Sequence, residues 1–559
     1  MEMNKKIFFD DLEQKLETIK TSSFYKPYTE ELKEAYKTDK DADTTLDYAS
    51  FMCFYTTGSR QEYQSKYFAR RRKLGQALML CLLYEDKEYL DALCESIWEI
   101  CNEITWVVPA HLANIKVEDY RTHIDLFAAE TAHYLAEADY LMGDRLPARI
   151  RELIRHEVKT RTFDAFESRP YFWETLISNW PGGCGCSIGM AYLCLAPERF
   201  ENVKDRLMNI LDYFLKSYGD DGSNTEGISY WEYGFWMYLN FADMLYRHSE
   251  GKIDLRHGEK IDKIARFLQK IVMRGNTAVS FSDGSRSYAF QHIGLFGYLT
   301  TNYQGVVIQA QVPKKIGIAQ CAKPAWIVRD FLWAEPDCFS PDNALDIGMQ
   351  YLEEPQWYMV KKENYSFAAK GGHNNEGHNH NDVGNFILAT DKGQMIADLG
   401  AMEYTAMCFS NHRYTLLQNS SLGHSVPIID GMAQGCGEKC HANVLHVSNN
   451  KFVLELQEAY DAEIPKITRT FEMRDTGITL TDVYDTIEGH EMTERFVAIV
   501  EPQIEGRNVR IGNIVLYTGI LPEITKEVLR NKSCMEEEVW LIDYKVTDNR
   551  FVMKIEVEG

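Results

Sequence analysis

Between about residues 65 and 335, apolar residues recur every three or four positions, in the windows 77–83, 90–101, 127–142, 148–158, 203–217, 231–246 and 261–272. That period gathers apolar side chains on one stripe of a helix and predicts a succession of amphipathic helices. The links between them are short and polar or carry Gly and Pro, as in Tyr218-Gly-Asp-Asp-Gly-Ser223. Neighbouring helices are therefore expected to run antiparallel, as a bundle, a solenoid or a closed ring of hairpins. Beyond about residue 345 the pattern changes. The windows 451–456, 466–471, 477–484 and 495–500 are rich in β-branched and aromatic residues and are separated by turns, which predicts an antiparallel β-sandwich or stacked sheets. A chain of 559 residues exceeds what one core usually holds. The expectation is a multidomain α+β protein with a helical domain over 1–340 and a β domain over 341–559. A ligand cleft is expected where they meet.

The polar segment that opens the second region carries the chemistry. His373, His378, His380, His412 and His424 are five of the chain's 15 histidines. In an extended segment, residues i and i+2 face the same way, so His378 and His380 can aim two imidazoles into one space. After 385–390 comes the turn signal Asp391-Lys-Gly393, and then 394–398, which together read as a hairpin returning Asp398 towards His380. Two imidazoles and a carboxylate suit a divalent metal or a proton-transfer site.

Composition narrows the partners. The formal net charge of -23 argues against a nucleic-acid surface, and it would repel a polyanionic sugar at long range, so such a ligand needs a local basic patch. Lys66-Tyr-Phe-Ala-Arg70-Arg71-Arg72-Lys73 is one candidate; a solvated helix face is the plainer reading. Ile7-Phe-Phe9 is too short for the apolar core of a signal peptide, and no run approaches the ~20 apolar residues of a membrane span. The 13 cysteines are odd in number and lack paired ligand spacing, as expected for reduced thiols. These signs point to a cytoplasmic protein, or to an exported one shorn of its signal.

The segments His378-Asn-His380-Asn-Asp382-Val-Gly384-Asn-Phe386, Asp398-Leu-Gly400, Arg413-Tyr414 and Ser420-Ser-Leu-Gly-His424-Ser425 resemble the central region of heparinase II/III-type polysaccharide lyases. So do Thr105-Trp-Val-Val-Pro-Ala-His111, Asn179-Trp180 and Asp221-Gly-Ser-Asn-Thr-Glu226-Gly227-Ile-Ser-Tyr230-Trp-Glu-Tyr233, in the same order, over roughly residues 60 to 440. The sequence departs from the family at Asn385, where such lyases commonly carry Ser, and in the Pro-Gly-Gly-Cys-Gly-Cys run after Trp180. The resemblance implies an incomplete (α/α) toroid followed by an antiparallel β-sandwich. It also implies β-elimination on a uronic-acid-containing glycosaminoglycan such as hyaluronan, chondroitin or a heparan-type chain, with alginate as the alternative substrate.

Such an elimination needs the C6 carboxylate neutralised, a base for the C5 proton and an acid for the leaving oxygen. By resemblance Asn179 is the neutraliser, Tyr230 the acid and also a candidate base, and His378 the alternative base; Tyr233 competes with Tyr230. The resemblance also implies that His380, Asp398 and His424 hold one divalent cation, zinc, for which His-Asp-His is a chemically acceptable donor set. Trp106, His111, Trp180, His373 and Arg413 are candidate contacts to sugar. Each has a plainer counterpart: a helix cap for Asn179, core packing for Trp106 and the aromatic residues near Tyr230, a structural ion pair for Arg413, separately hydrogen-bonded rings for the histidines. Three other functions use parts of the same set. A metal-dependent hydrolase would activate water with the His/Asp group. An (α/α)-toroid glycoside hydrolase would want a carboxylate pair, for which Asp221 and Glu226 alone are thin support. A noncatalytic carbohydrate-binding protein would have no need of Asn179, Tyr230 and His378 together.

Overall fold

Helices occupy the first region at the expected places, including Gln61–Leu83, Lys87–Cys101, Leu126–Met142, Ala148–Val158, Pro197–Leu215 and Ile228–His248. The computed structural model describes residues 7–308, 313, 315, 317, 323–339 and 347–558. The boundary expected between residues 340 and 341 lies outside them. The chain packs as two compact units. One comprises the described parts of Met1–Ser217, Glu232–Asp262 and Ala289–Ser340; the other comprises Tyr218–Trp231, Lys263–Tyr288 and the described part of Pro341–Gly559.

In the helical unit, Leu126–Met142 is buried along nearly its whole length. Helix Asn179–Leu195 packs beside it and runs straight through Pro-Gly-Gly-Cys-Gly-Cys, a stretch whose glycines disfavour a helix. Packing explains the exception. A Cβ on Gly182 would collide with the Phe214 ring, one on Gly185 with Ile210, and one on Gly189 with the Phe241 ring, so the missing side chains are what let neighbouring helices approach. Ser178 caps this helix by accepting from the Trp180 N–H at 3.3 Å, and Asn179 is its first residue.

The basic run on Gln61–Leu83 is no ligand patch. Arg71, 1% exposed, pairs with Glu103; Arg70 pairs with Glu99 and Glu103, Arg72 with Asp39, and Lys66 with Asp43 and Asp47. Lys73 donates to the Ala42 carbonyl. These cations fasten the helix to its neighbours. Window 261–272 also departs from a single helix. It breaks into Glu259–Ala265 and Phe267–Ile271 and ends in a short strand, Val272–Arg274.

The second unit holds three antiparallel sheets of eight, four and five strands and two strand pairs. Ile467–Arg474 and Gly477–Tyr484 pair in full register within the largest sheet, and the alternation of buried with partly buried or exposed residues along Ile467–Arg474 is that of a strand with one face on a core. Phe367, Phe386, Phe471 and Phe496 fill that core. Phe386–Thr390 returns as Gly393–Ile396, the expected hairpin, and Asp398 follows its end. No helix among the described residues is long and apolar enough to cross a membrane.

Candidate active site

A single carboxylate organises the candidate site. Asp283, 2% exposed, sits in the turn Ser280-Phe-Ser-Asp283-Gly284 of the second unit. One of its oxygens meets His378 Nδ1 at 2.7 Å and accepts from the Tyr404 hydroxyl at 2.8 Å. The other meets His380 Nε2 at 3.0 Å and accepts from Arg413 at 3.3 Å. Burial alone would raise its pKa, but the hydrogen bonds from His378 and His380 outweigh burial and hold the carboxyl well below the usual carboxylate range. The group is therefore a fixed anion on which two imidazoles, a phenol and a guanidinium converge.

Tyr230, in the first turn of Ile228–His248, completes this group. Its ring stacks on the His378 ring with centroids 4.2 Å apart. Its hydroxyl lies 3.3 Å from His378 Nδ1 and 2.9 Å from the Tyr404 hydroxyl. Burial, reinforced by the Asp283 charge, pushes the Tyr230 phenol well above its ordinary pKa, and burial likewise raises Tyr404. Both hold their protons at neutral pH, as a proton donor must. Tyr233 goes elsewhere. Its hydroxyl donates to Glu130 at 2.7 Å, beside the buried ion pair of Glu130 with Lys323, and Gly183 supplies the room by lacking a Cβ.

His378 and His380 do share a partner, by a different route from the one expected. The segment is a turn, and His378 has φ +53°, a conformation uncommon outside glycine that costs free energy and concentrates at functional sites. The turn brings the two rings to opposite oxygens of Asp283. Arg413 fixes it, donating to the carbonyls of His378 (3.1 Å), Asn379 (3.1 Å) and Cys408 (3.0 Å) as well as to Asp283.

Behind His380 lies the group expected to hold a metal. One ligand atom each from His380, Asp398 and His424 fall within 4.8 Å of one another, and all three residues are buried. His380 Nδ1 has no hydrogen-bond partner among the described residues, although a buried imidazole nitrogen normally finds one. His424 Nδ1 and Asp398 Oδ2 are 3.2 Å apart. The remote nitrogens are anchored, His380 Nε2 on Asp283 and His424 Nε2 on the Gln418 carbonyl at 3.0 Å, the outer support that orients metal-binding histidines. Burial lowers the His424 pKa, but the Asp398 charge overrides it and raises it. Orphaned nitrogen, donor set and anchoring all fit a divalent metal. Asn385, at the departure from the family pattern, borders this group: its amide donates to Asp398 Oδ2 at 2.7 Å and its oxygen accepts from the Ser425 N–H at 2.9 Å.

Asn179, Trp106, His111 and Trp180 belong to the helical unit. Trp106 is 2% exposed, donates its indole N–H to the Ile100 carbonyl at 2.9 Å and lies under the Arg161 guanidinium, the setting of a packed core residue. His111 is held by Asp125 at 2.7 Å and stands between the rings of Phe127 and Trp180, with Phe172 beyond Trp180. Asn179 is 5% exposed. In the second unit, His373 is half-buried on a short strand paired with Gly437–His441.

No family model matches this sequence, and no curated protein does. Solved structures match its fold. A heparinase III structure aligns with TM-score 0.65 at 12% identity, over 99% of this chain and 93% of that one. The heparan sulfate lyase of Pedobacter heparinus aligns with TM-score 0.57 at 12% identity, over 100% and 93%. The chondroitin AC lyase of Streptomyces coelicolor A3, solved in complex with chondroitin sulphate, aligns with TM-score 0.58 at 8% identity, over 98% and 82%. At these identities the likeness is one of fold. It gives the chain the expected architecture, an incomplete (α/α) toroid followed by an antiparallel β-sandwich.

Proposed function

We propose that this protein is a polysaccharide lyase that cleaves a uronic-acid-containing glycosaminoglycan by β-elimination, leaving unsaturated oligosaccharides. The observation that carries the reading is the protonated Tyr230 hydroxyl set against His378 on the Asp283 anion, in a chain with the fold of solved heparan and chondroitin lyases. Tyr230 gives its proton to the departing glycosidic oxygen. The C5 proton goes to His378, with Tyr230 the candidate base on the other uronate epimer. Asn179 neutralises the C6 carboxylate by hydrogen bonding, without which the C5 proton is too weakly acidic to remove. His111, Trp180 and His373 contact sugar. Arg413 holds the catalytic turn, since its donors are engaged inside the protein.

His380, Asp398 and His424 would hold the metal, and two imidazoles with one carboxylate favour zinc. When bound, it supplies a structural tie for the turn that carries His378. His380→Ala is therefore expected to lose metal and melt lower, whereas His378→Ala keeps about one metal per chain and loses turnover. Elemental analysis and melting curves of both variants check this. Metal retained in both would remove the ligand assignment; metal lost only from His378→Ala would interchange the two roles.

The reading as a whole is tested by incubating the protein with heparan sulfate, chondroitin, hyaluronan and alginate and following ultraviolet absorbance from a double bond conjugated to the uronate carboxylate. A rise on at least one glycosaminoglycan is expected. A rise on alginate alone would move the substrate to alginate, and saturated products would replace the lyase with a hydrolase.

A further inference from the structure

Inside the β-sandwich, Arg469 is 0% exposed and has a partner for every donor of its guanidinium. Nε and Nη2 reach Asp482, the latter at 2.7 Å, and Nη2 also reaches Glu494 at 2.8 Å. Asp482 lies directly opposite Arg469 on the neighbouring strand, whereas Glu494 belongs to Met492–Ala498 in the four-stranded sheet. The network thus links two sheets. Burial and the neighbouring Asp482 push the Glu494 pKa far up, and the Arg469 guanidinium stands between the two carboxyls.

Stability is a weak reason for burying such a group, because well-packed apolar residues often serve as well or better. The remaining donors suggest another. Nη1 donates to the Gly384 carbonyl at 3.0 Å and to the Ser425 carbonyl at 2.9 Å. Gly384 precedes Asn385, whose amide touches Asp398 and the Ser425 N–H, and Ser425 follows His424. The Ser425 hydroxyl in turn accepts from the Val497 N–H at 3.0 Å. One guanidinium therefore joins the segment running on from His380 to the segment carrying His424, and refers both to the rigid strands beneath.

We propose that Arg469 is a positioning residue for the metal centre, setting the separation of the two histidine-bearing segments from within the sandwich. The proposal rests on the metal reading of His380, Asp398 and His424. Lysine at this position keeps the charge that Asp482 requires but has three donors on one nitrogen and cannot span two carboxyls and two carbonyls.

The test uses the full chain, stripped of metal, in three forms: parent, Arg469→Lys, and the triple variant Arg469→Met/Asp482→Leu/Glu494→Leu, which removes the buried charges together. Zinc affinity is measured by competition with a chelator, and folding by melting of the metal-free proteins. The triple variant is expected to melt close to the metal-free parent or above it, and both variants to bind zinc about 10- to 100-fold more weakly, the usual range when outer support of a metal ligand is lost. A purely structural Arg469 predicts instead that the folded variants bind zinc as tightly as the parent, which would overturn the proposal while leaving the metal reading intact. If the triple variant fails to fold, Arg469→Lys decides by the same comparison. A parent that binds no zinc overturns the metal reading and this proposal with it.

Discussion

Asp283→Asn is expected to reduce turnover by about 100- to 10,000-fold, the range associated with loss of positioned acid–base groups, and to weaken metal binding by about 10- to 100-fold. Two effects come from one atom pair because the oxygens of Asp283 serve both halves of the site: His378 and Tyr404 on one, His380 and Arg413 on the other. Asparagine keeps the shape but removes the charge and turns an NH2 towards groups that donate. Arg413, 13% exposed, loses its counter-charge, and breaking a buried pair from one side typically costs about 3–5 kcal/mol, so the melting temperature should fall as well. Turnover, metal titration and melting of the purified variant check all three. Parent-like turnover with parent-like metal affinity would remove Asp283 from the site.

Tyr230→Phe is the second large effect. The phenyl ring still stacks on His378, so folding and substrate binding should be close to the parent's, while turnover falls by at least ~100-fold because the transferable proton is gone. Tyr233→Phe, three residues on, removes a hydroxyl bound to Glu130 and should leave turnover within a few-fold of the parent. The pair of variants, assayed side by side with saturating substrate, assigns the acid: a collapse in Tyr233→Phe with normal Tyr230→Phe would reverse the assignment. Because burial and Asp283 raise the Tyr230 pKa, the acid form persists as pH rises through ~10, where an ordinary phenol ionises. Any alkaline loss of activity below that point must come from another group.

How much of this could be read from the chain depended on how local each signal was. The hairpin over Phe386–Thr390 and Gly393–Ile396 was legible because alternation and an Asp-Lys-Gly turn are short-range features, and it returned Asp398 to His380. The helices were legible from their period. Asp283 was not, since Asp-Gly within a loop is an ordinary turn signal in a chain with 83 acidic residues, and its partners lie about a hundred positions away. Tyr404 escaped for the same reason. Pro-Gly-Gly-Cys-Gly-Cys read only as a departure from the family pattern, because the tertiary contacts at Gly182 and Gly185 that override local helix propensity there are not local signals. The run from Lys66 to Lys73 read as a solvated face or a candidate patch because its acidic partners, Asp39, Asp43, Asp47, Glu99 and Glu103, are scattered around it in sequence and meet it only in the folded helices.

Elimination consumes no water, whereas hydrolysis adds one to each bond it cuts. Glycosaminoglycan digested by the protein in heavy-oxygen water, then analysed by mass spectrometry, should yield new non-reducing ends that are unsaturated and new reducing ends that carry no label when the products are quenched at once. Saturated ends accompanied by one heavy oxygen per cleavage would show hydrolysis and contradict the assignment of Tyr230, His378 and Asn179 to β-elimination.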